Sequence, residues 1–479
     1  LFNSGGLLMQ IAKNYLYNAI YQVFIIIVPL LTIPYLSRIL GPSGIGINSY
    51  TNSIVQYFVL FGSIGVGLYG NRQIAFVRDN QVKMSKVFYE IFILRLFTIC
   101  LAYFLFVAFL IINGQYHAYY LSQSIAIVAA AFDISWFFMG IENFKVTVLR
   151  NFIVKLLALF SIFLFVKSYN DLNIYILITV LSTLIGNLTF FPSLHRYLVK
   201  VNYRELRPIK HLKQSLVMFI PQIAVQIYWV LNKTMLGSLD SVTSSGFFDQ
   251  SDKIVKLVLA IATATGTVML PRVANAFAHR EYSKIKEYMY AGFSFVSAIS
   301  IPMMFGLIAI TPKFVPLFFT SQFSDVIPVL MIESIAIIFI AWSNAIGTQY
   351  LLPTNQNKSY TVSVIIGSIV NLMLNIPLII YLGTVGASIA TVISEMSVTV
   401  YQLFIIHKQL NLHTLFSDLS KYLIAGLVMF LIVFKISLLT PTSWIFILLE
   451  ITVGIIIYVV LLIFLKAEII NKLKFIMHK

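Results

Sequence analysis

Long runs of apolar residues dominate the chain, and each is close to the length that an α-helix needs to cross a lipid bilayer. The hydrocarbon core of a bilayer is about 30 Å thick, so a helix needs about 20 apolar residues to span it. Fourteen such runs can be drawn, at residues 16–38, 45–68, 87–112, 117–139, 148–167, 174–194, 215–237, 246–270, 289–311, 326–348, 359–381, 384–406, 421–439 and 443–465. The sequence therefore predicts an all-α integral membrane protein with 14 transmembrane helices.

The composition agrees with lipid as the solvent for most of the surface. Hydrophobic residues make up 59% of the chain and charged residues only 10%, whereas a soluble domain is about a quarter charged. The net charge of +16 would suggest a nucleic-acid partner in a soluble protein, so the position of the charges must be considered first. Because Cys100 is the single cysteine, an intrachain disulfide is excluded and a cysteine-based metal site is disfavoured.

Basic residues concentrate in alternate loops. With the N-terminus placed in the cytoplasm, 24 of the 33 Lys and Arg residues fall on the cytoplasmic side. The outer helix ends hold only Arg38, Lys167, Lys313 and Lys435. This bias follows the positive-inside rule and places both termini in the cytoplasm. It also assigns most of the positive charge to loops that face anionic lipid, so no nucleic-acid partner is expected.

The longest polar stretch, HRYLVKVNYRELRPIKHLKQ, is interpreted as a cytoplasmic linker between two six-helix lobes. In chain order we expect an N-terminal cytoplasmic segment, an N-lobe with helices 1–6, the linker, a C-lobe with helices 7–12, and a last segment with helices 13 and 14 and a basic tail. These segments cover residues 1–15, 16–194, 195–214, 215–407 and 408–479. We expect the native protein to start at Met9, with residues 1–8 an addition or an upstream fragment, and no cleavable signal peptide.

The two lobes show weak internal similarity at an offset of 200 residues. Four residues of the first lobe recur at that offset, as the pairs Gly46 and Gly246, Ile54 and Ile254, Val55 and Val255, and Arg72 and Arg272. An offset of six helices is even, so both repeats would have the same orientation. The sequence therefore predicts a parallel pseudo-repeat, related by an axis along the membrane normal.

Several familiar motifs do not indicate a function. Gly65, Gly67 and Gly70 fit the pattern G-x-G-x-x-G, but no strand precedes them and no acidic residue closes a βαβ unit, so a dinucleotide site is rejected. We expect these glycines to permit close helix packing instead. The sequence shows no P-loop, no histidine spacing typical of metal ligands and no nucleophile–base arrangement. Neither a catalytic site, nor a metal site, nor a cofactor is predicted.

Charged residues inside the predicted spans are the candidates for function, because a charge at the bilayer centre costs at least about 2.5–3.5 kcal/mol. They are Arg95, Asp133, Lys155, Lys233, Glu333, Glu395, Glu450 and four charges in helix 8. Lys155 and Lys233 lie near helix ends and can extend to the interface, so a purely structural role stays open for them. A polar interior is expected around Arg95 and Asp133, and Glu450 is expected to be interfacial or paired.

Helix 8 contains the stretch FFDQSDKIVKL (247–257), which carries four charges. Asp249 and Lys253, and Asp252 and Lys256, are each four residues apart with the acid first, the order that favours pairing on a helix. The aspartates are also expected in the first turns, where the helix dipole favours negative charge. Two interpretations stay open. The pairs neutralise each other at the outer interface, or they face a water-filled cavity, which the short apolar remainder of the run favours.

Two stretches of the chain resemble a known family. KNYLYNAIYQVFIIIVPLLTIPYLSRILGPSGIG (13–46) is similar to the start of the bacterial Wzx-type polysaccharide flippases, and GFFDQSDKIVKLVL (246–259) resembles the corresponding stretch of that family. The resemblance extends over essentially the full length. These flippases form the polysaccharide transporter branch of a superfamily that also contains multidrug exporters and lipid II flippases. Fourteen helices rather than twelve favour the branches with lipid substrates.

This resemblance implies a transporter without an ATPase motif rather than an enzyme. Such flippases move an undecaprenyl-pyrophosphate-linked oligosaccharide repeat unit from the inner to the outer leaflet, for capsule, exopolysaccharide or O-antigen synthesis, by alternating access. The resemblance also implies the bacterial cytoplasmic membrane as location and membrane lipids as partners. The polysaccharide polymerase and the glycosyltransferases of the same pathway are further expected partners. Coupling to a proton or sodium gradient is the expected energy source.

Helices 1, 2, 7 and 8 line the cleft in this superfamily, so we rank their polar residues first. Cations suit a pyrophosphate, whereas amide and aromatic side chains suit sugars. The predicted substrate contacts are Arg38, Asn48, Asn52, Arg95, Gln226, Trp229, Lys233, Lys253 and Lys256. The predicted coupling carboxylates are Asp133, Asp249, Asp252 and Glu395.

Three alternative functions stay open. A lipid II flippase is the nearest, and rescue of that essential activity would identify it. A cation-coupled multidrug exporter is less well supported by fourteen helices. A membrane glycan polymerase is disfavoured, because every predicted outer loop is short.

Overall fold

A computed structural model describes the backbone of residues 4–263 and 266–470. Within these ranges, the side chains that are not described belong to residues 4–26, 144–149, 220–222, 224–225, 227–229 and 267–268. Every regular element of the described backbone is a helix. The all-α class predicted from the sequence is therefore confirmed.

The chain divides into two compact units, Leu1–Thr234 and Met235–Lys479. The helices of the first unit are α1 (Ser4–Ser63), α2 (Val66–Val77), α3 (Gln81–Ile112), α4 (His117–Gln123), α5 (Ile125–Ala131), α6 (Ser135–Gly140), α7 (Phe144–Phe165), α8 (Leu172–Leu188), α9 (Phe191–Leu194) and most of α10 (Leu212–Leu239). Those of the second unit are α11 (Val242–Thr263), α12 (Gly266–Ala278), α13 (Tyr282–Phe318), α14 (Val326–Ser343), a π-helix (Asn344–Leu351), α15 (Asn357–Ile406), α16 (Leu412–Leu415), α17 (Leu419–Leu439) and α18 (Trp444–Phe464). The unit boundary lies inside α10, after the predicted linker, so the predicted lobes stay predictions.

Nine stretches of the described residues are long and apolar enough to cross a membrane. Two of them, Ile27–Val77 and Asn357–Ile406, have 51 and 50 residues, which suffices for two crossings each at about 20 residues per crossing. Gly41 and Gly383 bend α1 and α15 with φ of 63° and 56°, a conformation that favours glycine. Three predicted runs do not belong to the nine: 148–167, which overlaps α7; 215–237, which lies in α10; and 246–270, which overlaps α11 and α12. The count of 14 crossings therefore stays a prediction.

The first unit is closely packed where α2, α3 and α6 meet. Trp136 of α6 stacks on Phe88 of α3 with the ring centroids 5.5 Å apart, and both rings are buried. A Cβ atom at Gly70 of α2 would lie 2.5 Å from the Trp136 ring, whereas a Cβ atom at Gly67 would meet nothing within 4 Å. Of these two glycines, only Gly70 permits a close helix contact.

Replacing Gly70 with alanine is expected to destabilise the first unit, because the added methyl group would overlap the Trp136 ring. Overpacking of this kind costs about 1–3 kcal/mol. The thermal unfolding midpoint of purified G70A protein should therefore fall. The matched variant G67A adds the same methyl group in open space and should not lower the midpoint. Equal midpoints for the two variants would contradict the close contact.

In the second unit, a buried ion pair ties α18 to α13. The Lys313 ammonium donates to Glu450 Oε1 at 2.7 Å and to Thr440 Oγ1 at 2.5 Å. Lys313 is 6% exposed and Glu450 is fully buried. Thr440 directly follows α17, so the ion pair lies at the end of that helix. Helices α13 and α18 both pack against α17. Of the two expectations for Glu450, the paired one is correct, and its partner is a lysine predicted at an outer helix end.

Candidate functional site

The charges of α11 form both of the pairs expected from their spacing. The Lys253 ammonium lies 2.5 Å from Asp249 Oδ2, and the Lys256 ammonium lies 2.6 Å from Asp252 Oδ2. The aspartate side chains are 7% and 15% exposed, and the lysine side chains are 38% and 34% exposed. The carboxylates are therefore enclosed, while each lysine keeps part of its surface open.

The α11 helix begins earlier than the sequence indicated, and this changes where the charges lie. It runs from Val242 to Thr263, and the Ser241 hydroxyl accepts a hydrogen bond from the Ser244 amide, as an N-cap residue does. Asp249 therefore lies beyond the first turn, and the expected stabilisation by the helix dipole is wrong, because that effect fades within one turn. The helix has 22 residues, a length of about 33 Å, and the four charges occupy its middle.

The part of α11 that carries Asp249 is buried inside the protein. Every residue from Ser244 to Ser251 is buried, so this part of α11 is enclosed on all its faces. Phe247, two residues before the first aspartate, packs edge-on against Phe323 with the ring centroids 6.0 Å apart. Of the four charges, Asp249 lies in this enclosed part, whereas Asp252, Lys253 and Lys256 are half-buried. The choice between the outer interface and a water-filled cavity therefore stays a prediction.

Arg95 and Asp133, predicted as a substrate contact and a coupling carboxylate, lie together in the first unit. The Arg95 Nε group donates to the Ala130 carbonyl at 2.6 Å, and its Nη2 atom lies 3.4 Å from Asp133 Oδ2. Asp133 Oδ1 accepts the Ser135 amide at 3.0 Å. The side chain of Arg95 is 4% exposed. Arg95 thus satisfies backbone and carboxylate oxygens at the break between α5 and α6, a structural task that the sequence did not reveal.

The polar residues predicted on α1 lie in two environments. Asn48 faces α4, where the Gln123 amide nitrogen lies 3.3 Å from Asn48 Oδ1 and 2.9 Å from Thr51 Oγ1. Asn52 is half-buried, one turn further along. Arg38 is exposed, and its guanidinium donates to the Pro34 carbonyl at 2.8 Å. Asn48 therefore belongs to a hydrogen-bond network that joins α1 to α4.

The remaining predicted residues are placed by their helices alone. On α10, Gln226 is exposed and Lys233 is half-buried, while the side chain of Trp229 lies outside the described residues. Glu395 is half-buried on α15. Among the described residues, no three His, Cys, Asp or Glu side chains form a group that could hold a metal ion. The site roles of all these residues stay predictions.

Sequence reasoning missed a buried carboxylate in the third turn of α3. Glu90 is fully buried, and its Oε2 atom lies 2.6 Å from the Lys210 ammonium and 3.0 Å from His211 Nε2. Its Oε1 atom accepts the Arg207 amide at 2.9 Å. The sequence did contain an indication of this carboxylate, because Glu90 is the single acidic residue in the apolar run 87–112. The segment predicted as a linker is thus fastened to α3.

The His211 imidazole in this segment lies between Glu90 and the Tyr69 hydroxyl, which is 2.7 Å from His211 Nδ1. Burial lowers the pKa of His211, the carboxylate of Glu90 opposes that shift, and the charge of Lys210 adds to it. In the neutral ring, Nε2–H donates to Glu90 and Nδ1 accepts from Tyr69. Gln214 is the other polar neighbour of the Tyr69 hydroxyl, at 3.1 Å. The folded protein therefore favours the uncharged imidazole.

A pH dependence of stability follows from this shift. Because the unfolded chain takes up the proton at a higher pH than the folded protein, the contribution of His211 is complete above about pH 6.5 and is lost as the pH falls below it. The thermal unfolding midpoint should drop on acidification from about pH 7.5 to about pH 5.5, and H211Q should show a smaller drop. The exposed His117 offers the control, and H117Q should keep the full drop. An identical drop in all three proteins would contradict the role of His211.

Comparison with known proteins gives consistent matches. Residues 11–277, more than half of the chain, match the family described as polysaccharide biosynthesis protein. A candidate O-antigen transporter of Escherichia coli (strain K12) is 24% identical over 398 residues, which cover 82% of this chain and 95% of that protein.

Two solved structures of transporters resemble the chain in fold. The lipid II flippase MurJ, in an inward closed conformation, has a TM-score of 0.75 and 18% identity, and the match covers 95% of this chain and 100% of that one. An inward-facing multidrug resistance transporter of the MATE family has a TM-score of 0.57 and 14% identity, with 83% and 99% covered. At these identities the likeness shows the fold alone. Together with the long apolar helices, it identifies a multi-pass membrane protein.

Proposed function

Because the chain belongs to the polysaccharide biosynthesis protein family, we propose that it is a flippase for lipid-linked oligosaccharide repeat units in a bacterial cytoplasmic membrane. The resemblance recognised in residues 13–46 and 246–259 is confirmed by this membership, since the family match includes both stretches. The match to a candidate O-antigen transporter over 95% of its length supports a lipid-linked glycan as the cargo. The proposed cargo is an undecaprenyl-pyrophosphate-linked unit for capsule, exopolysaccharide or O-antigen synthesis.

The observation that carries the proposal is the position of four charges at the middle of α11. A helix of this length placed across a bilayer has its midpoint in the hydrocarbon core, where a charge requires a polar or hydrated environment. A sugar–pyrophosphate head group requires the same environment, while its lipid tail can stay in the bilayer. Lys253 and Lys256, each about one-third exposed, offer ammonium groups to the phosphate oxygens.

The pairing of each lysine with an aspartate suits transport, because a cargo must be released as well as bound. An isolated pair of lysines would hold a diphosphate tightly, whereas a lysine that shares its charge with a carboxylate holds it weakly. Protonation of Asp249 or Asp252 would free the neighbouring ammonium and strengthen its attraction to phosphate. The arrival of a proton would in this way be linked to the binding of cargo.

The proposal extends to topology and energy source. Fourteen crossings, cytoplasmic termini and two lobes that alternate their access are its structural elements. A proton or sodium gradient drives the cycle, with Asp133 and Glu395 as further coupling carboxylates. The polymerase and glycosyltransferases of the same pathway work beside the chain, and its own role is transport rather than catalysis.

Genetic complementation tests this function directly. A host strain that lacks its own flippase for O-antigen repeat units should regain surface polysaccharide when this chain is expressed. The host must make a glycan related to that of the strain from which the chain comes. The measurement is the amount of polymer at the cell surface, with the protein level checked by immunoblot. The decisive case is a deletion of this protein in the strain from which it comes, complemented with the same chain. Normal protein levels without any recovered surface polymer in that strain would refute the proposal.

A lipid II flippase is the alternative that a specific observation favours, namely a sequence match of 24% identity over 162 residues to the lipid II flippase MurJ of Bacillus subtilis, which covers 33% of this chain and 29% of that protein. Depletion of the essential lipid II flippase in a host strain distinguishes the two functions. Growth rescued by this chain would support lipid II as cargo. Lysis on depletion, combined with recovered polysaccharide in the first strain, would exclude that alternative.

A further inference from the structure

A charged pocket opens beside Glu90 in the first unit. It has a volume of about 470 Å³, and its lining residues are Lys86, Glu90, Arg204, Glu205, Arg207 and Lys210. Pockets that bind small molecules have volumes of about 300–1,000 Å³. Four cations face two carboxylates in this pocket, so its lining carries an excess of positive charge. The α11 charges do not contribute to it.

The two carboxylates have different tasks in the pocket. Glu90 is fully buried and is saturated by Lys210, His211 and the Arg207 amide. It therefore fixes the backbone on which Arg207 is carried and is not exposed to a ligand. Glu205 is exposed and lies 3.4 Å from the Lys86 ammonium, a long and solvent-screened pair.

The two arginines of the pocket are unengaged by other side chains. The guanidinium groups of Arg204 and Arg207 are exposed and make no hydrogen bond or ion pair with any residue in the described ranges. The Arg204 amide is held by Asn202 Oδ1 at 3.2 Å, and the Arg207 amide is held by Glu90. The backbone at both positions is therefore fixed, and both guanidinium groups are left for a ligand.

We propose that this pocket is an anion site that binds a phosphate monoester or a diphosphate. Guanidinium groups bind phosphate through two parallel hydrogen bonds, and Lys86 adds a point charge at the rim. A carboxylate ligand would suit the site less well, because a single planar group cannot engage two arginines and a lysine at once. The site is separate from the proposed transport function and does not depend on it.

Two sources can supply such a ligand, and their chemistry is the same at the pocket. One is the head group of an anionic phospholipid, since basic segments next to membrane helices attract anionic lipid. The other is a soluble phosphate compound of the cytoplasm. A test must therefore present the phosphate both with and without a lipid.

The experiment uses the purified full-length chain in detergent and two probes. Isothermal titration calorimetry with inorganic pyrophosphate measures the affinity for a soluble phosphate compound. Native mass spectrometry compares the amounts of phosphatidic acid and phosphatidylcholine that the protein retains, which tests binding of a lipid head group. The variant R204Q/R207Q should weaken binding of at least one probe by about tenfold or more, because it removes both bidentate contacts. Pyrophosphate binding assigns a soluble ligand, and selective retention of phosphatidic acid alone assigns a lipid.

The matched control lies in the same segment. R196Q/K200Q also removes two positive charges, but from exposed positions outside the pocket. Its affinity for each probe should stay within about twofold of that of the unmodified chain. Unchanged elution in size-exclusion chromatography verifies that both variants are folded. The proposal is overturned if the unmodified chain binds neither probe, or if both double variants weaken binding equally.

Discussion

Loss of either partner of the Lys313–Glu450 pair is expected to lower the free energy of unfolding by about 3–5 kcal/mol, because it leaves a buried charge without its counter-ion. In K313M, Thr440, at 3.0 Å from Oε1, is the hydrogen-bond donor that the Glu450 carboxylate keeps among the described residues. Its Oε2 atom is already buried without a hydrogen bond to any described residue. In E450M, the ammonium of Lys313 is left in the same apolar surroundings. Both variants should show a lower thermal unfolding midpoint and less folded protein by fluorescence-detected chromatography.

Two controls separate the lost pair from a general effect of mutation. K313M/E450M removes both charges, and it should recover most of the lost stability, because an apolar replacement of a buried pair is often neutral or stabilising. K435M removes an exposed lysine of α17 and should leave the midpoint unchanged. If the double variant were as unstable as the two single variants, the loss would come from shape rather than charge. The ion pair would then not be what holds α18 to α13.

Hydropathy located the helices, but it did not reveal this pair. Lys313 and Glu450 are 137 positions apart, and each looked like an isolated residue near a helix end. Their contact depends on the packing of α13, α17 and α18, which no local pattern in the sequence encodes. For the same reason the sequence could not show that Arg95 donates to the Ala130 carbonyl, because that carbonyl lies in the last turn of α5, where no amide four residues further along the helix can satisfy it.

Local spacing, by contrast, predicted the α11 pairs correctly. An i,i+4 relation brings two side chains together on any α-helix, so the tertiary fold was not needed. The start of the helix was missed because the residues before Gly246 are small and polar, and they resemble a loop. Ser241 caps the helix and Ser244 lies in its first turn, so the apolar run was shorter than the helix.

The contacts of the predicted linker escaped the sequence for a related reason. Residues 195–214 are polar and basic, which is typical of a solvated connection. In the structure they are fastened to α3, where Ser85 Oγ accepts the Val199 amide at 2.9 Å and Glu90 holds Arg207. Because polar contacts of this kind have no periodic signature, composition alone could not distinguish a packed segment from a free one.

Neutralising the lysines of α11 is expected to reduce transport without reducing the amount of protein. K253Q and K256Q each replace an ammonium that is about one-third exposed with an amide that can still donate a hydrogen bond to the neighbouring aspartate, so folding should tolerate the change. If each ammonium contributes one charge-assisted contact to the phosphates of the cargo, surface polysaccharide should fall about tenfold in each variant. The double variant K253Q/K256Q should fall further. The measurement is surface polymer in the complemented strain, normalised to the protein level.

The chain offers a matched control for the loss of a paired lysine. Lys284 forms an i,i+3 pair with Glu281 at 2.9 Å, but both side chains are largely exposed at the start of α13. K284Q removes the same kind of paired ammonium from a solvated helix end and should keep full transport. The exchange D252K/K256D keeps an ion pair but moves the ammonium by one turn, and it should transport as poorly as K256Q. Full polymer levels in K253Q, K256Q and the exchange variant would show that transport requires neither lysine, and the four charges would then have a structural role alone.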